Sequence, residues 1–333
     1  MAARSLVLAG GLIAVAAAPR PPPVREIGPA RLAIASPQGP ALVPLFADAG
    51  WRGAPVRAVR RAVIILHGYR RNAGDYYRLA AAARRKAGPD GAGTLLLAPQ
   101  FLADEDIAPN RLPAAMLHWG HARWAGGAPA HGPAPLSAFD VLDALLARLA
   151  DPGRFPALRQ VVLAGHSAGA QMAQRYAVVG RGAAALARAG IGMRYVLANP
   201  GSYLYLTAAR PRPVAACPGY DSWRYGLAGG LPPYVTDSPA ALAARYAGRD
   251  VVYLLGTADT NPHHPLLDTS CAAEAQGATR LERGRAFVAA ERARTGRAPA
   301  MHEVAGVGHN ARRMLGSTCG LAALFDTQGC PAP

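Results

Sequence analysis

The pentapeptide Gly165-His166-Ser167-Ala168-Gly169 stands directly after the apolar run 161–164 (Val-Val-Leu-Ala) and directly before a helix-forming stretch that continues to about residue 178. A chain that passes from strand to helix within a residue or two must make a tight, strained turn. Glycine on either side of Ser167 leaves room for that turn and for close packing. The turn lifts the serine hydroxyl out of the sheet and sets it beside the N–H groups and positive dipole end of the following helix. Read without chemistry, these residues are a glycine-rich connection; read with it, they present a nucleophile. In both readings the strand belongs to a sheet layered with helices.

The rest of the chain keeps that rhythm. Residues 62–66 (Ala-Val-Ile-Ile-Leu), 94–98, 195–198 and 251–255 are further apolar runs of strand length. Helical stretches lie between them. One covers 75–87; another opens at Ser137, with Asp140 in the capping-box position and Val141, Leu142, Leu145, Leu146 and Leu149 on one stripe. A third covers 280–294, with Thr279 as N-cap and Glu282 completing a capping box. Continuous apolar strands alternating with helices predict an α/β fold, a three-layer α/β/α sandwich whose mostly parallel sheet is buried on both faces. Segment 199–246, rich in Pro, Gly and aromatic residues, interrupts the alternation and is expected to form a cap or lid on a single domain spanning 18–333. A hydrophobic content of 51% against 17% charged excludes a disordered chain and supplies a large core.

The formal charge of +16 invites a nucleic-acid reading, but 35 of the 36 basic residues are arginine and they are scattered rather than gathered into a tail. That is the composition of a GC-rich coding sequence, and no nucleic-acid partner is expected. Arg4 followed by the apolar stretch 5–18 reads as a signal peptide, with cleavage expected after Ala17 and a Pro-rich linker at 19–23. About 14 apolar residues are too few to span a bilayer, and no run elsewhere approaches the roughly 20 needed. The expectation is export, to the periplasm or beyond, with no lasting membrane insertion. Cys217, Cys271, Cys319 and Cys330 lack CxxC spacing, so no metal site is expected. In an oxidising compartment they can form two disulfides by three pairings, of which one containing Cys319–Cys330 is preferred.

From about residue 62 to 309 the chain resembles the α/β-hydrolase family, on the strand–GxSxG–helix unit and on the order of the later Asp and His positions. The family places its triad as nucleophile, acid and base on loops at the carboxyl ends of successive strands. The resemblance implies Asp259 as the acid, because Gly256-Thr257-Ala258-Asp259 succeeds the strand 251–255, with Asp268 in reserve. It implies His309 as the base, on the loop Gly306-Val307-Gly308-His309 after a last short strand. His302 stands at the start of that strand, and His263 and His264 come too soon after Asp259 to fill the last place. The resemblance also implies an oxyanion hole built from the backbone N–H of Ala168 and of Tyr69, in the loop His67-Gly68-Tyr69-Arg70-Arg71-Asn72-Ala73. This HG-x-x-x-N-A pattern is similar to secreted polyester depolymerases and feruloyl-type esterases rather than to HGGG lipases.

The resemblance implies a serine hydrolase that cleaves carboxylic esters, small or polymeric, through an acyl-enzyme and without a cofactor. Amide or peptide hydrolysis of an anionic polymer by the same groups is the neighbouring reading, and a non-catalytic binding protein on a hydrolase scaffold is the reading from another class. Residues expected at the substrate are Arg70, His166, Tyr203 and Trp223. Further aromatics (Trp119, Trp124, Tyr205, Tyr220, Tyr225, Tyr234) either line a pocket or pack the insertion. Arg70, Arg71, Arg312 and Arg313 are expected at the rim, where four cations would focus potential on anionic substrates. Replacing Ser167 by Ala is expected to leave the fold intact, by circular dichroism and thermal unfolding, while removing turnover. Loss of a triad nucleophile costs about 10⁶ in rate, so residual hydrolysis above about a thousandth of the native value would identify a different nucleophile.

Overall fold

The apolar runs lie side by side at the centre of one eight-stranded sheet in the computed structural model, which describes residues 22–51, 53 and 56–331. The expected signal peptide at 1–17 lies outside the described residues. In chain order the strands are β1 (Ala30–Ile34), β2 (Ala41–Ala47), β3 (Arg61–Leu66), β4 (Thr94–Pro99), a separate short pair β5 (Leu102–Ala103) and β6 (His118–Trp119), then β7 (Gln160–His166), β8 (Gly192–Ala198), β9 (Asp250–Gly256) and β10 (Ala300–Val304). Their order across the large sheet is β1-β2-β4-β3-β7-β8-β9-β10. The β1–β2 and β2–β4 pairs are antiparallel, and every pair from β4 to β10 is parallel.

Alternate residues of the central strands feed two cores, as the pleat requires. On β3, Ala62, Ile64 and Leu66 join one core while Val63 and Ile65 join the other; Val161/Leu163 and Val162/Ala164 divide β7 in the same way. In chain order the first eight helices are α1 (Ala73–Lys86), α2 (Asp104–Ile107), α3 (Ala138–Leu149), α4 (Ala168–Val179), α5 (Ala183–Arg188), α6 (Pro239–Ala247), α7 (Cys271–Glu274) and α8 (Arg280–Thr295); α3, α4 and α8 cover the first face with Leu142, Leu145, Met172 and Phe287. The second face is covered by α1 (Ala73–Lys86) together with two helices near the C-terminus, Ala311–Leu315 and Thr318–Phe325. This is the expected three-layer arrangement. Its parallel strands all deliver their carboxyl ends to one edge, where the loops carrying Tyr69, Ser167, Asp259 and His309 meet.

Several local features depart from the sequence reading. Strands β1 and β2 have no counterpart in the sequence reading, because Pro44 interrupts the second run; the β2–β4 ladder runs from Leu45 onward, and the Pro44 carbonyl accepts from Gln100 N–H at 2.8 Å. Ser137 caps as expected, its hydroxyl accepting from Phe139 N–H while Asp140 accepts from Ser137 N–H. Thr279 accepts from Glu282 N–H, but the Glu282 carboxylate takes the N–H of Ala278, so that capping box is not closed. The Pro-rich linker is partly docked: the Pro22 carbonyl accepts from Arg71, and Val24 N–H donates to Asp106.

The segment expected as a cap or lid packs against the body. Tyr203, Leu204, Tyr205, Leu227 and Tyr234 sink into the main core, where Tyr203 stacks on Phe287 at 4.9 Å, and residues 239–247 form a helix against α4. Apolar area of that size gains more by joining the core than by standing over a cleft. Cys217–Cys271 ties this segment to the loop after β9, and Cys319–Cys330 closes the C-terminal end. The bridges span 54 and 11 residues. Chain entropy then assigns about 4 kcal/mol to the first and about 3 kcal/mol to the second. Urea unfolding of the two Cys→Ser double variants is expected to show losses in that order.

Candidate active site

Ser167 leaves β7 with φ 58° and ψ −122°, backbone that an L residue adopts only when its surroundings hold it. The flanking glycines explain how it is held. A Cβ on Gly165 would stand 2.3 Å from the Gly169 carbonyl carbon, and one on Gly169 would stand 2.5 Å from the Leu66 carbonyl oxygen. Any larger residue would push α4 away from β3. The Ser167 N–H donates to the Ala198 carbonyl at 3.0 Å, so β8 secures the turn from the other side.

The three residues named from the sequence meet at this edge. The Ser167 hydroxyl donates to His309 Nε2 at 2.9 Å, and His309 Nδ1–H donates to Asp259 Oδ2 at 2.8 Å. Asp259 is 3% exposed, in a turn closed by its own N–H on the Gly256 carbonyl at 3.0 Å. Two buried residues that sequence reasoning missed hold these groups. Asn199, at φ 44°, accepts from Gly256 N–H (2.8 Å) and donates to the Gly308 carbonyl (3.2 Å), joining the end of β9 to the loop that carries His309. Arg280 donates to Asp259 Oδ1 at 3.4 Å. An Asn just past a buried strand end was the available signal for the first; an Arg opening an otherwise well-capped helix carried none.

The loop after β3 is anchored from behind. His67 donates through Nδ1 to the Gly68 carbonyl and accepts from Phe101 N–H at Nε2, both at 2.9 Å, and its burial holds it neutral with a pKa pushed down to about 4. Arg71, at φ 58°, is fully buried and forks onto Asp106 at 2.6 and 2.9 Å. It is therefore not a rim residue: its guanidinium points inward because Asp106 is the buried charge that it neutralises. Among the described residues neither the Tyr69 nor the Ala168 N–H has a hydrogen-bond acceptor.

A cleft of about 650 Å³ opens over Ser167. Arg70, Arg312, His166, Tyr69, His264, Leu266 and His309 are among its walls. Arg70 and Arg312 are exposed and form no ion pair among the described residues; Arg313 faces a neighbouring groove. His166 is buried with both ring nitrogens unpartnered, its ring 4.5 Å from that of His309. Tyr203 and Trp223 do not reach the cleft. Tyr203 is in the core, and the Trp223 indole donates to the Gly126 carbonyl at 2.7 Å and packs edge-on to Phe139. Trp119 and Trp124 are core residues around Phe101. Asp268 accepts from Tyr225 at 2.7 Å and is not bonded to His309. Among the described residues the one grouping of metal-ligand types is His302 with Cys319 and Cys330, whose sulfurs are consumed in the disulfide.

Burial lowers the His309 pKa, and the Arg280 cation adds to that, against the opposing hydrogen bond and charge of Asp259. His166 and His264 are lowered too, first by burial and then by the neighbouring His309 and the Arg280 cation. A base must be neutral to take a proton, so lowering its pKa extends its working range downward. The acidic limb of kcat/KM against pH is therefore expected to have its midpoint below 6.5, the ordinary value for histidine. Initial rates in a constant-ionic-strength buffer series check this; a midpoint above 6.5 would mean that His309 is not the titrating base.

No family model matches the sequence, and no curated protein matches it. Solved structures do. The LpqC poly(3-hydroxybutyrate) depolymerase of Bordetella parapertussis is similar at 24% identity and a TM-score of 0.62, over 91% of this chain and 91% of that one. Poly(aspartic acid) hydrolase-1 of Sphingomonas sp. KT-1 is similar at 20% identity and a TM-score of 0.59, over 92% of this chain and 99% of that one. At these identities the likeness speaks for architecture. The chain has the α/β-hydrolase fold.

Proposed function

We propose that this protein is an exported serine hydrolase that cleaves carboxylic esters. The observation that carries the reading is the unbroken relay from the Ser167 hydroxyl through His309 to Asp259. His309 Nε2 takes the proton as Ser167 Oγ bonds to the ester carbonyl carbon; Asp259 holds the Nδ1–H tautomer and stabilises the imidazolium. The negative charge moves to the carbonyl oxygen, where the unpaired N–H groups of Tyr69 and Ala168 and the α4 dipole would receive it. Collapse breaks the ester C–O bond as His309 returns the proton to the leaving alcohol. Water then repeats the cycle on the acyl-enzyme and releases the acid. Two disulfides support an oxidising destination, and no helix among the described residues is long and apolar enough to cross a membrane.

A second reading concerns substrate charge. Arg70 and Arg312 line the cleft with no ion-pair partner among the described residues, and guanidinium groups in a cleft favour carboxylate-bearing esters or an acidic polymer. The names of the two similar structures put polymers on the test panel. A fluorophosphonate probe is expected to label the native protein and to fail on Ser167→Ala; labelling of the variant would overturn the nucleophile assignment. On substrates, an anionic ester is expected to surpass its neutral counterpart in kcat/KM at 0.01 M salt. The advantage should shrink as the Debye length falls from about 30 Å to about 8 Å at 0.15 M. Loss of that advantage in an Arg70→Ala/Arg312→Ala variant would assign it to these side chains; an anion that gains nothing at low salt would remove the charge reading and leave the esterase reading intact.

A further inference from the structure

Arg280 opens α8 with 1% of its surface exposed; its Nε has no partner among the described residues, and its two Nη atoms make the hydrogen bonds that a guanidinium taken so far out of water needs. Nη1 donates to Asp259 Oδ1, the carboxylate oxygen that His309 leaves unused. Nη2 turns the other way, to the Leu266 carbonyl at 2.8 Å and to His264 Nδ1 at 3.3 Å. One buried cation thus spans the acid of the relay and the segment 264–266 that walls the cleft.

These contacts decide the state of His264. Its Nδ1 accepts from Leu266 N–H at 3.1 Å as well as from Arg280, so that nitrogen carries no hydrogen. A neutral imidazole with Nδ1 as acceptor bears its proton on Nε2. Partial burial, and then the adjacent Arg280 cation, lower the pKa of the ring. No described residue accepts from Nε2, and the ring lies edge-on to His309 with centroids 5.1 Å apart. The cleft therefore has a fixed hydrogen-bond donor next to the base.

Resting on the reading of Ser167 as nucleophile, we propose that Arg280 is a positioning residue that locks Asp259 and the 264–266 wall together, and that the His264 Nε2–H it orients recognises an acceptor oxygen on the substrate beyond the scissile ester. The substrate class is esters whose chain carries a second carbonyl or a carboxylate near the reacting one. Both halves of the proposal are open to measurement. The groups facing His309 are Ser167, Asp259, Arg280, His166 and His264, of which only Asp259 favours its protonation.

The test uses the full-length protein and para-nitrophenyl keto-acyl esters with the second carbonyl at successive chain positions, each compared with its deoxo parent. In the native protein at least one position is expected to be preferred about tenfold in kcat/KM, the effect of one good hydrogen bond. His264→Leu should erase that ratio, while His264→Gln, which can place an amide N–H near the Nε2 position, should keep most of it. A native protein without preference, or a Leu variant that retains it, overturns the recognition role. Arg280→Gln should lower kcat about tenfold or more on every ester and move the acidic limb to higher pH, because a cation facing His309 has gone. A limb that stays in place overturns the positioning role, since a merely structural loss lowers only the titre of active sites. If that variant does not fold, Arg280→Lys decides: its charge should hold the limb while the lost fork should weaken the keto preference, and an undiminished preference counts against the proposal. Full activity in Ser167→Ala would instead sink the nucleophile reading itself.

Discussion

The close contact between α4 and the end of β3 is the constraint on which the rest of the edge depends. Gly169 lies against the carbonyls of Leu66 and His67 with no room for a methyl group, and this contact holds Ser167 in its strained turn. The same contact brings the first N–H of α4 beside the loop that begins at His67. Strain at one residue is thereby coupled to the placement of a second loop, and neither could be altered without moving the other.

Behind that loop stands buried polarity that is satisfied almost group by group. Asp106 accepts from Arg71, from Val24 N–H and from Ala103 N–H; Gln100 bonds the backbone of Gly28, Glu26 and Arg71. Buried ion pairs seldom add stability, but removing one partner strands the other at a cost of roughly 3–5 kcal/mol. Here the pair holds in place residues that apolar packing alone would leave free to shift, including the left-handed Arg71. Precision of the loop, rather than stability of the domain, is what these groups provide.

His309 has one cation and two further imidazoles among its neighbours. Arg280 and two imidazoles approach His309, and only Asp259 opposes them. Burial and the Arg280 cation disfavour a protonated His309, which biases the site toward the neutral imidazole. Arg70 and Arg312 extend the same sign to the mouth of the cleft.

Much of this was legible from residue order. The runs 62–66, 161–164, 195–198 and 251–255 are apolar without alternation, and only strands buried on both faces read that way, so the parallel sheet and its layers came from the chain itself. Gly165 and Gly169 around Ser167 identified the turn, and the family resemblance, applied to the strand ends, implied Asp259 and His309. Tertiary structure alone decided which side chains face the cleft. Arg71 and Tyr203 read as surface and pocket residues, yet Asp106, distant in sequence, draws the first inward, and Phe287 stacks on the second in the core. Asn199, His264 and Arg280 are hydrogen-bonded to partners 57, 16 and 21 residues away. Sequence period reports how a residue sits on its own element; which partner it meets across elements is set by how the layers pack.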